Sequence, residues 1–303
     1  MSLVNRAVQY VNRYRFERAA RTIRRTPAIT LAQSGPVALS MVQHRDVDAY
    51  LLALKSFVGH MPVSRVVVVA DPTLSAEDRS VFREHVPNIE IRDAKEFQRP
   101  GIPRGGCWER LSAISDYVAQ ESVVQLDADT MTIGPVPEVG AAVQQSLPFT
   151  LGTEDQQSIE TCAEISARAR TWLTGTNDHV QVIAESLVEK IEGAEELRYA
   201  RGCAGFAGYP RGSFDFARLR GLSERMSRVM GDRWAQWGTE QFTSNLLLAS
   251  MPGFRLLPHP KYCAPHRRKA HTVFLHFIGY VRFTTPLYAR VASSLVRDLQ
   301  AGP

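Results

Sequence analysis

The segment Arg65-Val66-Val67-Val68-Val69-Ala70 constrains the fold more than any other, because it offers no polar face. A strand wetted on one side alternates apolar and polar residues, whereas a run of valines suits a strand covered on both sides, as in a parallel sheet. Asp71-Pro72 ends it. Val37 to Val42 reads the same way, and between the two Tyr50, Leu51, Leu54 and Phe57/Val58 recur at helical spacing, with Asp46 or Asp48 available as a cap. Strand, helix, strand is a βαβ unit.

The alternation continues. Ser75 to His85 reads as a helix, Ile89 to Ile91 as a short strand and Gln98 to Gly106 as a loop rich in Gly, Pro and Arg. Trp108, Leu111, Ile114 and Val118 mark one face of a helix leading into a strand from Ser122 to Asp127. Beyond it we expect strands at Phe149 to Gly152, Gly205 to Tyr209 and Arg255 to Leu257, and a helical stretch within Thr171 to Glu196. Gly231 to Gly238 reads as a loop, and Thr239 to Ser250 as a helix capped by Thr239. No Pro/Gly/Ser linker divides the chain, so one α/β domain is expected over residues 36–290. A basic helical extension (1–35) precedes it and a C-terminal helix or tail (291–303) follows.

With 303 residues, 44% of them hydrophobic, the chain can bury a full core. No apolar run approaches the roughly 20 residues of a membrane span. The arginine-studded N-terminus does not read as a secretory signal. Cys107, Cys162, Cys203 and Cys263 are far apart and form no C-x-x-C pair, which suits free thiols in a reducing, cytoplasmic setting. Much of the net charge of +5 lies in Arg13, Arg15, Arg18, Arg21, Arg24 and Arg25. Tyr10 to Ile23 is then either a basic amphipathic helix that touches anionic lipid head groups at the inner face of the membrane or a phosphorylated acceptor, or else a packed helix with a solvated arginine face. Basic residues are not interleaved with stacking aromatics, so nucleic acid is not an expected partner.

The chemistry centres on Leu126-Asp127-Ala128-Asp129-Thr130. Two carboxylates on the same side of an extended segment, at the carboxyl end of a buried strand, stand where open α/β sheets bind ligands. They suit Mg²⁺ or Mn²⁺, hard cations that complete their shells with water and phosphate oxygens such as those of a diphosphate.

With this motif after several βα units, residues 36 to 285 resemble the nucleotide-sugar glycosyltransferases of the GT-A fold, whose hallmark is Asp-x-Asp. Trp108-Glu109-Arg110-Leu111 looks like the aromatic-x-Arg-Leu segment of the glycogenin-like and bacterial lipooligosaccharide galactosyltransferase family. The resemblance implies a Rossmann-like fold with a mixed, mainly parallel sheet. It also implies a metal held by Asp127, Asp129 and His276, the last in Phe274-Leu275-His276-Phe277-Ile278-Gly279-Tyr280. The expected donor is a nucleotide-sugar, foremost a UDP-sugar, and the expected acceptor a glycan or lipid-linked hydroxyl in surface-glycan synthesis, with retention of configuration.

Trp237-Gly238-Thr239-Glu240-Gln241 looks like the family's acidic-Gln segment beside the reacting sugar, with Glu240 where Asp is usual. Glu240 would hold a hydroxyl or act as base, or else only cap its helix. In Arg201-Gly202-Cys203-Ala204-Gly205-Phe206, small residues admit a donor sugar or form a tight turn beneath the site, and Cys203 stands where the family has Asn. Asp71 would bind base or ribose, or simply form a turn; Arg104 and Arg110 would take phosphate, or form ion pairs. His259, His266 and His271, with Arg267, Arg268 and Lys269, belong to a segment that would close over the donor phosphates.

Two other readings compete. Haloacid-dehalogenase-like phosphatases also place Asp-x-Asp after an apolar strand, but there it opens the domain and Thr stands two positions after the second Asp, not directly after it as Thr130 does. A non-catalytic nucleotide-sugar-binding protein is the third.

Overall fold

The computed structural model describes residues 3–154, 157–279 and 281–301, so Tyr280 and the extreme ends of the two terminal segments lie outside the described residues. The chain opens with helix α1 (Leu3–Arg21), which tightens into a 3-10 turn over Thr22–Arg25. Strands β1 (Val37–Val42) and β2 (Arg65–Ala70) fall where the sequence puts them and pair in parallel, Val37 opposite Arg65 through Val42 opposite Ala70. The valine run serves both faces of the sheet: Val66 and Val68 enter one core, Val67 and Val69 the other.

Helix α2 (Val47–Val58) links the two strands. Asp46 sits at its N-cap without a side-chain cap bond, because its carboxylate accepts from Gln43 Nε2 at 2.8 Å; Asp48 instead pairs with Arg24 at 2.6 Å. Helix α3 (Ala76–His85) is closed by a full capping box between Ser75 and Asp78. β3 (Glu90–Asp93) is a half-buried edge strand whose residues are charged except for Ile91, which suits an exposed edge. Helix α4 (Trp108–Tyr117) then leads to β4 (Val123–Leu126), parallel to β1.

The chain next leaves the main sheet through β5 (Thr130–Thr132), runs through α5 (Pro137–Gln144) and returns as β6 (Phe149–Gly152). The short ladder of β7 (Glu160–Thr161) and β8 (Arg198–Tyr199) brackets α6 (Cys162–Arg170) and α7 (Val180–Leu187). β9 (Gly202–Tyr209) runs antiparallel between β4 and β6, followed by α8 (Phe216–Met230), α9 (Thr239–Ala249) and β10 (Arg255–Leu257). The seven-stranded order is β10-β6-β9-β4-β1-β2-β3, a mixed and mainly parallel sheet. β11 (Tyr262–Cys263) and β12 (Phe274–His276) join β5 in a small second sheet, and α10 (Leu287–Ala301) ends the described chain.

Several elements differ from the sequence reading. Helix α6 was not expected, for its buried stripe is only Cys162, Ile165 and Ala169, yet Thr161 and Glu164 form the capping box that marks its start. Helix α8, also unexpected, buries Leu219, Leu222, Met226 and Met230 at regular helical spacing. β9 begins at Gly202, three residues early, because its glycines dilute the strand pattern while neighbouring side chains fill their space. The cap of α9 is Gly238 at φ +110°, and Thr239 is occupied elsewhere: its hydroxyl accepts from Trp108 Nε1 and donates to the Gln236 carbonyl, both at 3.0 Å.

Replacing Ser75 by Ala removes the acceptor of the Asp78 amide, and we expect a loss of about 1 kcal/mol. Urea unfolding should show a lower midpoint with an unchanged slope.

Candidate active site

The metal motif is built by a turn. β4 stops at Leu126, and Thr130 folds the chain back by donating its amide at 3.2 Å and its hydroxyl at 2.8 Å to the Asp127 carbonyl. The sequence reading of an extended Asp-x-Asp is thereby corrected: the reversal into β5, not strand alternation, brings the carboxylates together. The Asp127 amide donates to the Gly205 carbonyl at 2.8 Å, which ties the turn to β9.

The register of β5 and β12 supplies the third group. They pair antiparallel with Thr130 opposite His276, and the Phe277 amide donates to the Asp129 carbonyl at 2.8 Å. His276 Nε2 then lies 3.0 Å from Asp129 Oδ1. One ligand atom each from Asp127, Asp129 and His276 falls within 4.8 Å of the others. Two carboxylates and an imidazole are a donor set that suits Mn²⁺, so the residues present fit the cation.

His276 is held from behind as well. Its ring lies over Gly205, where a Cβ would meet Cε1 at 2.1 Å, and Nδ1 is 3.2 Å from Cys203 Sγ. Cys203 Sγ also lies 3.6 Å from Gln241 Oε1, which accepts from the Ala204 amide at 3.3 Å. Gln241 Nε2 donates to Gln181 Oε1 at 2.8 Å. Gly205 therefore makes room for a protein side chain, a use of the small residues that the sequence did not reveal.

Two arginines answer the acidic charge. Buried Arg110, from α4, pairs with Asp127 through Nη1 and donates through Nη2 to both oxygens of Glu240, at 3.2 and 3.1 Å. Arg282 pairs with Asp129, lies 3.6 Å from Asp46 and donates Nε to the Phe277 carbonyl at 3.2 Å. Burial raises Asp127 above the usual carboxylate range against the pull of Arg110. For Asp129 the same burial is outweighed by His276 and Arg282, which hold it low. Burial opposes charge on His276, but Cys203 and Asp129 prevail and raise it. Burial pushes Glu240 up to about 7 despite Arg110.

The structure thus gathers Asp127, Asp129, His276, Arg110, Glu240 and Gln241 into one connected cluster, with Arg110 in the ion-pair arrangement rather than standing free. Asp71 ends β2 on the same sheet edge, but its carboxylate accepts from the amide and hydroxyl of Thr73, at 2.9 and 2.6 Å, as a turn residue does. Arg104 is exposed in the loop before α4 and has no ion pair among the described residues. His266, His271, Arg267, Arg268 and Lys269 lie exposed between β11 and β12. Sequence reasoning missed Arg282, a single arginine six residues past His276 with no spacing pattern around it. It also missed the contact between Cys203 and His276, which only the β9 and β12 geometry creates.

No protein-family model matches the sequence, and no curated protein matches it. Among solved structures, the bifunctional glycosyltransferase WbbM in its apo form superposes with a TM-score of 0.54 at 12% identity, over 89% of this chain and 51% of that one. This chain therefore spans about half of WbbM. The galactosyltransferase LgtC, solved with donor and acceptor sugar analogues, superposes with a TM-score of 0.52 at 14% identity, over 88% of this chain and 97% of that one. The chain has the GT-A glycosyltransferase fold, related to that of LgtC.

Gly205→Ala should push the His276 ring from its place, and we expect Mn²⁺ affinity to fall roughly 10- to 100-fold by calorimetry, with the far-ultraviolet spectrum unchanged. Glu240 gives a pH signature. Its proton is retained in the folded chain between its ordinary 4.5 and about 7, so the folded state binds more protons there and stability falls as pH rises through that window. Glu240→Gln should abolish this slope in unfolding experiments across the same range.

Proposed function

We propose that this protein is a metal-dependent glycosyltransferase that moves a sugar, a hexose foremost, from a nucleotide-sugar donor to an acceptor hydroxyl. The observation that carries the reading is the cluster of Asp127, Asp129 and His276, with ligand atoms within 4.8 Å of one another at the carboxyl end of β4 in a GT-A fold. Mn²⁺ or Mg²⁺ held there would neutralise charge on the departing nucleoside diphosphate.

The chain's own residues have separable tasks in this proposal. Arg110 and Arg282, each now engaged with a motif carboxylate, are planar forks suited to diphosphate oxygens once those carboxylates are shared with a cation. Glu240 holds Arg110 in place. Gln241, fixed by Gln181 and the Ala204 amide, presents its amide beside Cys203 where the sugar would lie. In this reading Asp71 and Arg104 would contact the nucleotide and its phosphates. The resemblance supports a UDP-sugar, retention of configuration, and an acceptor that is a glycan or lipid-linked intermediate of surface-glycan synthesis. A cytoplasmic location with peripheral membrane contact belongs to the same proposal; no helix among the described residues is long and apolar enough to cross a membrane.

A panel of UDP-, GDP-, dTDP- and CMP-sugars tests the reading by thermal shift and by product formation, with and without Mn²⁺. One donor should stabilise the wild type, by about 2.7 kcal/mol at a hundredfold excess over Kd, only when Mn²⁺ is present. Asp129→Ala should abolish that shift and cut transfer by at least about a hundredfold. Stabilisation without turnover on any acceptor or water would favour the non-catalytic binding protein, and no response to any donor would defeat the proposal.

A further inference from the structure

Helix α1 presents two stripes at helical spacing. The inner one, Asn12, Phe16 and Ala20, is buried: Phe16 stacks on Tyr288 at 3.7 Å and Asn12 Nδ2 donates to the Phe283 carbonyl at 3.0 Å. The outer one, Tyr10, Val11, Tyr14 and Arg18, is exposed: Tyr10 is 74% exposed, Tyr14 58% and Val11 44%. Single exposed apolar residues need no explanation, but three on one stripe do.

That stripe is one wall of an open groove of about 1030 Å³ whose other wall is α10. Small residues, Ala289, Ser293 and Ser294, line the α10 side. Arg15, Arg18, Arg290 and Arg297 also line it, no carboxylate does, and none of the four arginines has an ion pair among the described residues. Four unpaired guanidiniums beside exposed tyrosines are complementary to a surface that carries phosphates at its edge and apolar matter beneath. A second copy of the same groove would bring like charges together.

We propose that the groove between α1 and α10 docks the protein on an anionic lipid bilayer, with lipid phosphates among the four arginines and Tyr10 and Tyr14 at headgroup depth. Both ends of the chain build this surface, which the arginine count of the N-terminus alone does not disclose. Tyr288 connects it to the metal motif: its ring stacks on Phe277 at 3.9 Å, and its hydroxyl donates to the Ala128 carbonyl at 3.3 Å. If the proposed transfer reaction is correct, a lipid-borne acceptor would be gathered on the face of α10 whose Tyr288 touches the metal motif. The docking itself does not depend on that reaction.

Flotation of the full chain with phosphatidylcholine vesicles, with and without phosphatidylglycerol, tests it by reading partition rather than turnover. We expect binding only to the anionic vesicles, weakened by salt. Each arginine near the headgroups is worth roughly fivefold, so Arg15→Gln, Arg18→Gln, Arg290→Gln and Arg297→Gln combined should weaken binding by at least about a hundredfold. A control with equal charge loss elsewhere, Arg211→Gln, Arg218→Gln, Arg228→Gln and Arg233→Gln, should retain most of it. Thermal melts of both variants should match the wild type, because the eight positions are exposed. Equal binding to neutral vesicles, equal loss in the control, no vesicle binding at all, or capture of a short single-stranded oligonucleotide in place of vesicles would each overturn the proposal.

Discussion

Three carboxylates, those of Asp127, Asp129 and Glu240, converge where water is largely excluded, and Arg110, Arg282 and His276 offset them. A buried carboxylate left without its partner costs about 3–5 kcal/mol, so none of the six is a bystander. The arrangement also fixes architecture. Arg110 on α4 and Glu240 on α9 join helices from distant parts of the chain, and the bond from Trp108 Nε1 to the Thr239 hydroxyl, between the same two helix N-termini, repeats the link. Arg282 does the same for the segment leading into α10.

Backbone proximity is the second constraint. β9 is inserted antiparallel between β4 and β6, and its glycines let side chains lie directly on the strand: Phe149 on Gly208, Thr150 on Gly202 and His276 on Gly205. An alanine at Gly208 would place a Cβ 2.0 Å from the Phe149 ring, so the core and the site use one device. The position of His276 is thus set twice, by the register of β5 with β12 and by the room above Gly205.

The parallel half of the sheet was legible because burial on both faces imposes an unbroken apolar run, and β1 and β2 have the very bounds that their composition predicts. Asp127, Asp129 and His276 were legible through motif layout, and the structure brings them together. Most of what was illegible depended on partners remote in sequence. Arg282 matters through Asp129 and Cys203 through His276, and no local pattern encodes either; the turn at Asp127 is local, closed by Thr130 three residues on, but it interrupts what reads as an extended strand. Helices α6 and α8 were different, since a capping box and a regular stripe stood in the sequence unread.

The geometry also bears on what Glu240 can do in the proposed transfer. A general base needs a lone pair within reach of an acceptor hydroxyl. Glu240 is 3% exposed, lies in the first turn of α9, and both of its oxygens accept from Arg110 Nη2. Its raised pKa comes first from burial, and Arg110 only partly offsets it. A carboxylate so placed serves best by keeping a buried guanidinium charged and oriented, because freeing it for proton transfer would leave Arg110 with half its compensation. This argument favours Glu240 as a positioning residue for Arg110. Its neighbour Gln241 is an amide that donates and accepts hydrogen bonds but is no base, so this end of α9 offers the proposed transfer no free general base.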